Sequence, residues 1–242
     1  RQILLLQSLG LSLPEYAHIA LVVGADGAPL SKRTGSKSVE ELRSAGYLPS
    51  AINNYLARLG HTYDANTFMD LEALAENFDL TRLGRAPARY DEAQLMHWQR
   101  EAVLHLPSTA LREWMGDAVQ ALVPSDSFTA FIEAVRGNIS FPSDALRWAR
   151  IVFTDKLVVS HAAREAMTAA GPEFFATARQ ALEKHGTDFR AVAETVKQAR
   201  SVSGKSLFQP LRAALLGELD GPEMARILPL IGVERARKRL SI

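Results

Sequence analysis

The chain has no cysteine, so neither a disulfide framework nor a thiolate metal site is open to it. That absence suits a reducing compartment, and a cytoplasmic location is expected. The six histidines form no His-Glu-x-x-His pattern, and His97 and His105 stand eight apart, so no protein-bound metal is expected. No apolar run approaches the ~20 residues of a membrane span, because Leu4-Leu5-Leu6 is soon interrupted by Gln7 and Ser8; no membrane partner is expected. Ser31, Ser36 and Ser38 lack a neighbouring histidine and acid, which leaves a nucleophilic triad without support. Charge of one sign is also missing. The net charge is +1, so the chain is no polycation and any affinity for polyanions must come from local patches.

What is present is mostly helical patterning. At 242 residues the chain can bury one or two cores, on a prior of one domain per ~100 to 200 residues. Strand signal is confined to residues 18–24. Ser38 with Glu41 makes a capping box and Gly46 a helix stop. Pro49 suits a first helical position, followed by the apolar stripe Ala51, Ile52, Tyr55, Leu56 and Leu59. Thr67 with Asp70, and Asp91 with Gln94, open two further amphipathic segments. Ser108, after Pro107, is expected to cap a helix running through Leu111, Met115 and Leu122. Later helices are predicted near residues 128–135, 145–153, 172–185, 189–200, 207–216, 222–231 and 233–240. The predicted fold is mainly α with a small α/β remnant at its start. Its expected divisions are 1–37, 38–107 and 108–242, with a sub-boundary near 170 at Gly171-Pro172. Trp98, Trp114 and Trp148 sit at helical spacings with aliphatics and are assigned to the core.

The chemistry concentrates in three places. Residues 27–36 put Lys32, Arg33 and the hydroxyls of Ser31, Thr34 and Ser36 in a glycine-flanked loop after the predicted strand. Such a loop can close on phosphates, with backbone N–H groups near the anion and the cations neutralising charge that develops in phosphoryl or nucleotidyl transfer. A surface turn with solvated cations is the competing reading. Arg82, Arg85 and Arg89 lie in a Gly- and Pro-containing stretch that can reach a sugar-phosphate backbone or simply remain solvated. Residues 1–107 carry 12 carboxylates against 10 cations and residues 108–242 carry 15 against 18, so basic character collects late. Arg190, Lys197, Arg200, Lys205 and Arg212 form one late cluster, and Arg235, Arg237, Lys238 and Arg239 another. Cations also complement helix C-termini where nothing binds, and position alone leaves both readings open. Phe208, between Lys205 and Arg212, has the setting of a base-stacking aromatic, although burial in the last domain is expected.

Leu30-Ser31-Lys32-Arg33 resembles the KMSKS signature of class I aminoacyl-tRNA synthetases in the form used by glutamyl-tRNA synthetases. Pro14-Glu15-Tyr16-Ala17-His18-Ile19-Ala20-Leu21-Val22-Val23-Gly24 before it, and the run from Ser38 through Gly46-Tyr47-Leu48-Pro49 to Gly60 after it, are similar to the same family. So are Gly204-Lys205-Ser206-Leu207-Phe208-Gln209-Pro210-Leu211-Arg212 and Gly221-Pro222-Glu223. Pro29 stands where the family signature has its first lysine, which leaves Lys32 for the phosphate role. No HIGH-type motif occurs and the chain starts at Arg1, so a C-terminal half is expected, inactive by itself. The resemblance implies the end of a Rossmann catalytic domain, a helical stem-contact region and an all-helical anticodon-binding region. It implies ATP as substrate with Mg²⁺ accompanying it, and an ATP-binding loop of Pro29, Leu30, Ser31, Lys32 and Arg33 with Lys32 catalytic. It also implies glutamate and glutamate-specific tRNA as substrates, with glutamine-specific tRNA left open, and a monomer. Arg82, Arg85, Arg89, Arg200, Lys205 and Arg212 are the candidate tRNA contacts. Helical periodicity after Ser108 argues against the glutaminyl relative, whose anticodon domains are β-barrels, and the tRNA-modifying paralogue lacks an anticodon-binding region. A stand-alone helical tRNA-binding or assembly module is the alternative.

Overall fold

The computed structural model describes residues 1–24, 26–30 and 38–241. The chain divides into two compact units, Arg1–Leu42 with Pro49–Trp98, and Arg43–Leu48 with Gln99–Ile242. It is mainly helical, with one two-stranded parallel sheet among the described residues.

The first unit draws on helices α1 (Gln2–Ser8), α2 (Val39–Ser44), α3 (Pro49–Leu59), α4 (Leu71–Glu76) and α5 (Glu92–His105), and on strands β1 (Val22–Val23) and β2 (Ala88–Arg89). The capping box forms as the sequence predicts. Glu41 Oε2 accepts from the Ser38 N–H at 2.6 Å, and Ser38 Oγ accepts from the Glu41 N–H at 3.1 Å, so two orphan donors are satisfied reciprocally. Helix α3 starts at Pro49 and buries Ala51, Ile52 and Tyr55, while Leu56 of the expected stripe stays 51% exposed. Asn54, fully buried on the same helix, donates to the Met69 carbonyl (2.6 Å) and accepts from the Met69 N–H (3.0 Å), so one amide replaces a stretch of ladder and anchors the chain before α4.

Two expectations here are corrected. The strand predicted over 18–24 shrinks to Val22–Val23, because a ladder extends only as far as its partner, and β2 offers only Ala88 and Arg89 in parallel register. Helix α4 is opened by Asp70 alone, whose carboxylate accepts from the Ala73 N–H at 2.8 Å; Thr67 instead gives its carbonyl to Arg58 at 2.6 Å. Helix α1, which periodicity does not reveal, buries none of its residues, and Leu4, Leu5 and Leu9 are 63–70% exposed.

The second unit contains α6 (Ser108–Met115), α7 (Asp117–Leu122), α8 (Phe128–Val135), α9 (Pro142–Phe153), α10 (His161–Ala170), α11 (Pro172–His185), α12 (Phe189–Arg200), α13 (Lys205–Leu216), α14 (Met224–Ile231) and α15 (Val233–Arg239). Helix α11 packs along α12, α10 along α13, and α14 against α8 and α9, and the unit buries Phe128, Phe131, Trp148, Phe175 and Leu215. The single helix expected from Ser108 to Leu122 is broken at Gly116, the weakest helix former in that stretch. Ser108 caps nothing; its Oγ accepts from Arg136 at 2.9 Å.

Residues 43–48 belong to this second unit. Gly46 adopts φ +94°, and a Cβ there would lie 2.7 Å from Pro142 Cδ, so only glycine fits. Its carbonyl accepts from Trp114 Nε1 (3.0 Å) and Gln99 Nε2 (3.3 Å), and the Leu48 N–H donates to Gln99 Oε1 (2.9 Å). Gln99 is fully buried, and these bonds with a further one to the Ser140 carbonyl (2.8 Å) compensate its burial.

The terminal basic run is largely spent on structure. Arg239 donates to the carbonyls of Leu215 (2.7 Å), Ile151 (2.5 Å) and Thr154 (2.9 Å). Arg235 donates to those of Val152 (3.0 Å), Phe153 (3.4 Å) and Ile231 (2.9 Å). Together they satisfy the orphan carbonyls at the end of α9, as cations at a helix C-terminus do. Arg237 pairs with Glu234 at 3.1 Å and Lys238 with Asp155 at 3.7 Å.

Candidate nucleic-acid interface

The segment that follows β1, as far as Leu30, is built by local turn chemistry. The Gly24 N–H donates to the Ala28 carbonyl (2.8 Å), the Gly27 N–H to the Gly24 carbonyl (3.0 Å), and the Ala28 N–H to Asp26 Oδ1 (3.0 Å). Gly27 takes φ +78°, which completes the reversal. Pro29 then bridges Val23 in antiparallel sense, and the Leu30 N–H donates to the Val22 carbonyl at 3.3 Å. Pro29 and Leu30 are thereby fixed on β1; Ser31, Lys32 and Arg33 lie outside the described residues. On the other edge of β1 the Ala88 N–H donates to Leu21 and the Tyr90 N–H to Val23, both at 2.9 Å, which holds Arg89 beside that strand.

The three arginines of the 82–89 stretch separate into two kinds. Arg82 is committed to Asp64 at 2.6 Å, and that contact holds its guanidinium above the ordinary range. Arg85 and Arg89 are exposed, and their side chains have no partner among the described residues. Of the three arginines in this stretch, these two are open to a phosphate backbone.

In the second unit, Arg200 is paired with Glu173 at 2.8 Å. Lys205 and Arg212 are brought to one face of α13, two turns and ~10 Å apart. Lys205 is exposed and occupies the first residue of that helix, where the macrodipole disfavours a cation and an anion would offset it; Gly204 supplies no side-chain cap for the first N–H groups. Arg212 is half-buried. It donates to the Pro222 carbonyl at 2.8 Å, and desolvation lowers its guanidinium pKa, opposed by Asp220.

A cavity of about 510 Å³ opens beside them, lined among others by Arg190, Lys197, Gly204, Phe208, Arg212 and Met224. Phe208 corrects an expectation. It is 47% exposed, stands 6.3 Å from Phe189 at 40°, and lines this cavity instead of the core. An aromatic face beside Arg190 and Arg212 offers a planar surface and cations of the kind on which an unpaired base can stack. Trp98 and Trp148 are buried and Trp114 half-buried, as their spacing indicates. No cluster of three His, Asp or Glu able to hold a metal is found among the described residues, and no described helix is long and apolar enough to cross a membrane.

Comparison with known proteins places these features. Residues 1–97 match the family described as tRNA synthetases class I (E and Q), catalytic domain, and residues 108–242 match the anticodon binding domain. Over 240 residues, 99% of the chain, it is 55% identical to glutamate–tRNA ligase 2 of Nitrosococcus oceani, covering 51% of that protein. Glutamate–tRNA ligase 2 of Acidithiobacillus ferrooxidans is 48% identical over 240 residues, with 50% of its length covered. The chain thus spans about half the length of the curated relatives it matches. The crystal structure of a glutamate tRNA ligase from Elizabethkingia meningosepticum in complex with its amino acid superposes with a TM-score of 0.81 at 21% identity. That match covers 98% of this chain and 53% of that one, and shows the shared fold. The chain belongs to the anticodon-binding-domain family, carrying that domain in residues 108–242 together with a segment of the class I synthetase catalytic domain in residues 1–97.

Proposed function

We propose that the chain works as the C-terminal half of a glutamate–tRNA ligase. The observation that carries this reading is the 55% identity to such a ligase over 99% of the chain, with catalytic and anticodon-binding matches in that order. In this reading residues 1–37 complete the catalytic domain, residues 38–107 contact the tRNA stem, and residues 108–242 hold the anticodon arm. Glutamate's carboxylate attacks the α-phosphorus of ATP, the α–β bridging bond breaks, and pyrophosphate leaves; the glutamyl group then passes to the terminal adenosine of tRNA as AMP departs. Lys32 stabilises the charge that develops at phosphorus, and Pro29, Leu30, Ser31 and Arg33 complete the ATP-binding loop. Mg²⁺ arrives with ATP as part of the substrate. The ligase acts as a monomer in the cytoplasm, where translation consumes its product.

Arg85, Arg89 and Lys205 contact tRNA phosphates, Arg212 and Phe208 line the pocket for an unpaired anticodon base, and Arg82 and Arg200 act through their ion pairs in shaping those surfaces. The reading is tested by charging purified glutamate-specific and glutamine-specific tRNA with the complete ligase. Glutamylation of the first is expected, and failure on both tRNAs would refute it. The 242-residue chain alone is expected to bind tRNA and to form no glutamyl-adenylate, because α1 and the segment before β1 leave their apolar side chains without cover. ATP-dependent glutamate activation by that chain, free of complete enzyme, would show the catalytic site to be whole within it. Its tRNA affinity should fall with salt at a slope of about −0.7Z to −0.9Z in log–log form, where Z is the number of phosphates neutralised. A flat salt titration would remove the phosphate contacts.

A further inference from the structure

A groove of about 850 Å³ follows α9 in the second unit, from Ser143 to Thr154, and is completed by Leu122, Val158 and Glu218. The α9 stretch spans ~17 Å at a rise of about 1.5 Å per residue, the length of a three-turn helix. Its floor is aliphatic. Ile151 is buried, and Leu122 and Leu146 are half-buried. No aromatic ring lines the groove, so it offers an unpaired base nothing to stack on, unlike the cavity beside Phe208.

Val158, on its rim, is 85% exposed, the highest value for a large apolar side chain among the described residues. The loop that carries it is tied at both ends. The Thr154 carbonyl accepts from Arg239 at 2.9 Å, and Asp155 pairs with Arg235 at 3.3 Å. Beyond Val158, the Ser160 N–H donates to the Gly217 carbonyl at 2.9 Å, and Ser160 Oγ opens α10 by accepting from the Ala163 N–H at 3.2 Å. The Val158 carbonyl lies so close to Gly217 that a Cβ there would overlap it. The backbone thus holds this valine in water beside an aliphatic floor, where a partner that covered both would remove apolar surface from solvent without first ordering the loop.

The charges around the groove do not balance. Glu218 faces Arg147 at 3.8 Å, and Asp155 is held by Arg235 and, at 3.7 Å, by Lys238. Arg150 and Lys156 also line the groove, are exposed, and have no carboxylate partner among the described residues. We infer that this groove docks an acidic amphipathic helix of a partner protein. About three turns of such a helix match the α9 stretch, its apolar side chains at i, i+3, i+4 and i+7 covering Leu122, Leu146 and Val158 and its flanking carboxylates meeting Arg150 and Lys156. Charge complementarity selects this occupant. A basic helix would meet two uncompensated cations, and a nucleic acid would satisfy the cations but leave the aliphatic floor uncovered. The inference is independent of the ligase reading, since it concerns one face of the second unit.

The test is fluorescence anisotropy of a labelled synthetic peptide of about twelve residues, with Leu at i, i+3, i+4 and i+7 and Glu elsewhere, titrated with the 242-residue chain. Saturable binding is expected. Val158→Ser should weaken it about tenfold by removing apolar contact, and Arg150→Glu with Lys156→Glu should weaken it at least about tenfold. All three side chains are exposed, so the fold should be kept, which circular dichroism checks. The same peptide with Lys in place of Glu should bind the doubly reversed chain and not the parent. Absence of saturable binding, or affinity unchanged by both variants, would overturn the site. An RNA hairpin titrated in parallel tests the other macromolecule, because Val158→Ser alters no charge; a loss of RNA affinity equal to that of the peptide would give the groove to RNA. Self-association of the chain in sedimentation, abolished by Val158→Ser, would give it to a second copy. Either result would overturn the inference.

Discussion

Replacing Lys32 with alanine in the complete ligase is expected to lower glutamate-dependent ATP–pyrophosphate exchange by about 100- to 1000-fold, while tRNA affinity changes little. The size follows from the chemistry proposed for the loop. Displacement at phosphorus needs little covalent help from the protein, so its barrier responds mainly to cations already in position when charge moves onto the leaving pyrophosphate. Removing one such preorganised donor typically costs about 2.7 to 4 kcal/mol of transition-state stabilisation. With Pro29 in place of a first lysine, no second ammonium in the signature shares that load. The effect should therefore appear in kcat and kcat/KM together, the pattern of an interaction made in the transition state alone. Direct binding of tRNA, measured by filter retention, is the control, because the cations proposed for it, Arg85, Arg89 and Lys205, lie elsewhere. An exchange rate within about twofold of the parent would leave Lys32 without a part in the chemistry.

The helices were legible where their causes are local. Ser38 and Glu41 satisfy each other's N–H groups within four residues, Pro172 starts α11 and Gly186 follows its end, and Asp188 accepts from the Arg190 and Ala191 N–H groups to open α12. None of these needs a distant partner. The strand pairing and the fate of the cations, by contrast, do depend on one. β2 exists because Leu21 and Val23 offer carbonyls to residues 88 and 90, some 67 positions along the chain, a pairing that no local pattern announces. The same holds for the cations. Arg82 and Arg85 look alike in sequence, yet Asp64 engages only the first. Arg200 belongs to the late basic cluster until Glu173 is seen opposite it. Phe208 was expected to be buried in the last domain despite its cationic neighbours, and it is the cavity beside α12 that leaves it half open. Composition indicated how many cations the second unit has; tertiary structure decides which remain available to a ligand.

The terminal run carries that lesson to its largest consequence for stability. Arg239→Met is expected to destabilise the second unit by at least about 3 kcal/mol, since the variant leaves the Leu215, Ile151 and Thr154 carbonyls unpaired at about 1 to 3 kcal/mol each. Methionine can refill the aliphatic volume but offers no donor. Burial lowers the Arg239 pKa to about 10, with Arg235 adding to the shift and Asp155 opposing it. The sign of that shift matters for the measurement. A cation whose folded pKa is depressed releases its proton earlier in the folded state, so stability is linked to pH only above about 10, where unfolded arginine still holds its proton. Between pH 6 and 9 both states are charged, and the loss caused by the variant should be constant. Urea denaturation followed by circular dichroism should show the midpoint lowered by at least about 1 M, and by about 3 M at the shallow end of a slope of about 1 to 3 kcal/mol per molar. Arg237→Met is the matched control. Its side chain is 50% exposed and pairs only with Glu234, 78% exposed, so its effect should stay within about 0.5 kcal/mol. Equal midpoints for the two variants would mean that water replaces the Arg239 guanidinium at the end of α9 without cost, and that the basic run is free to serve a ligand.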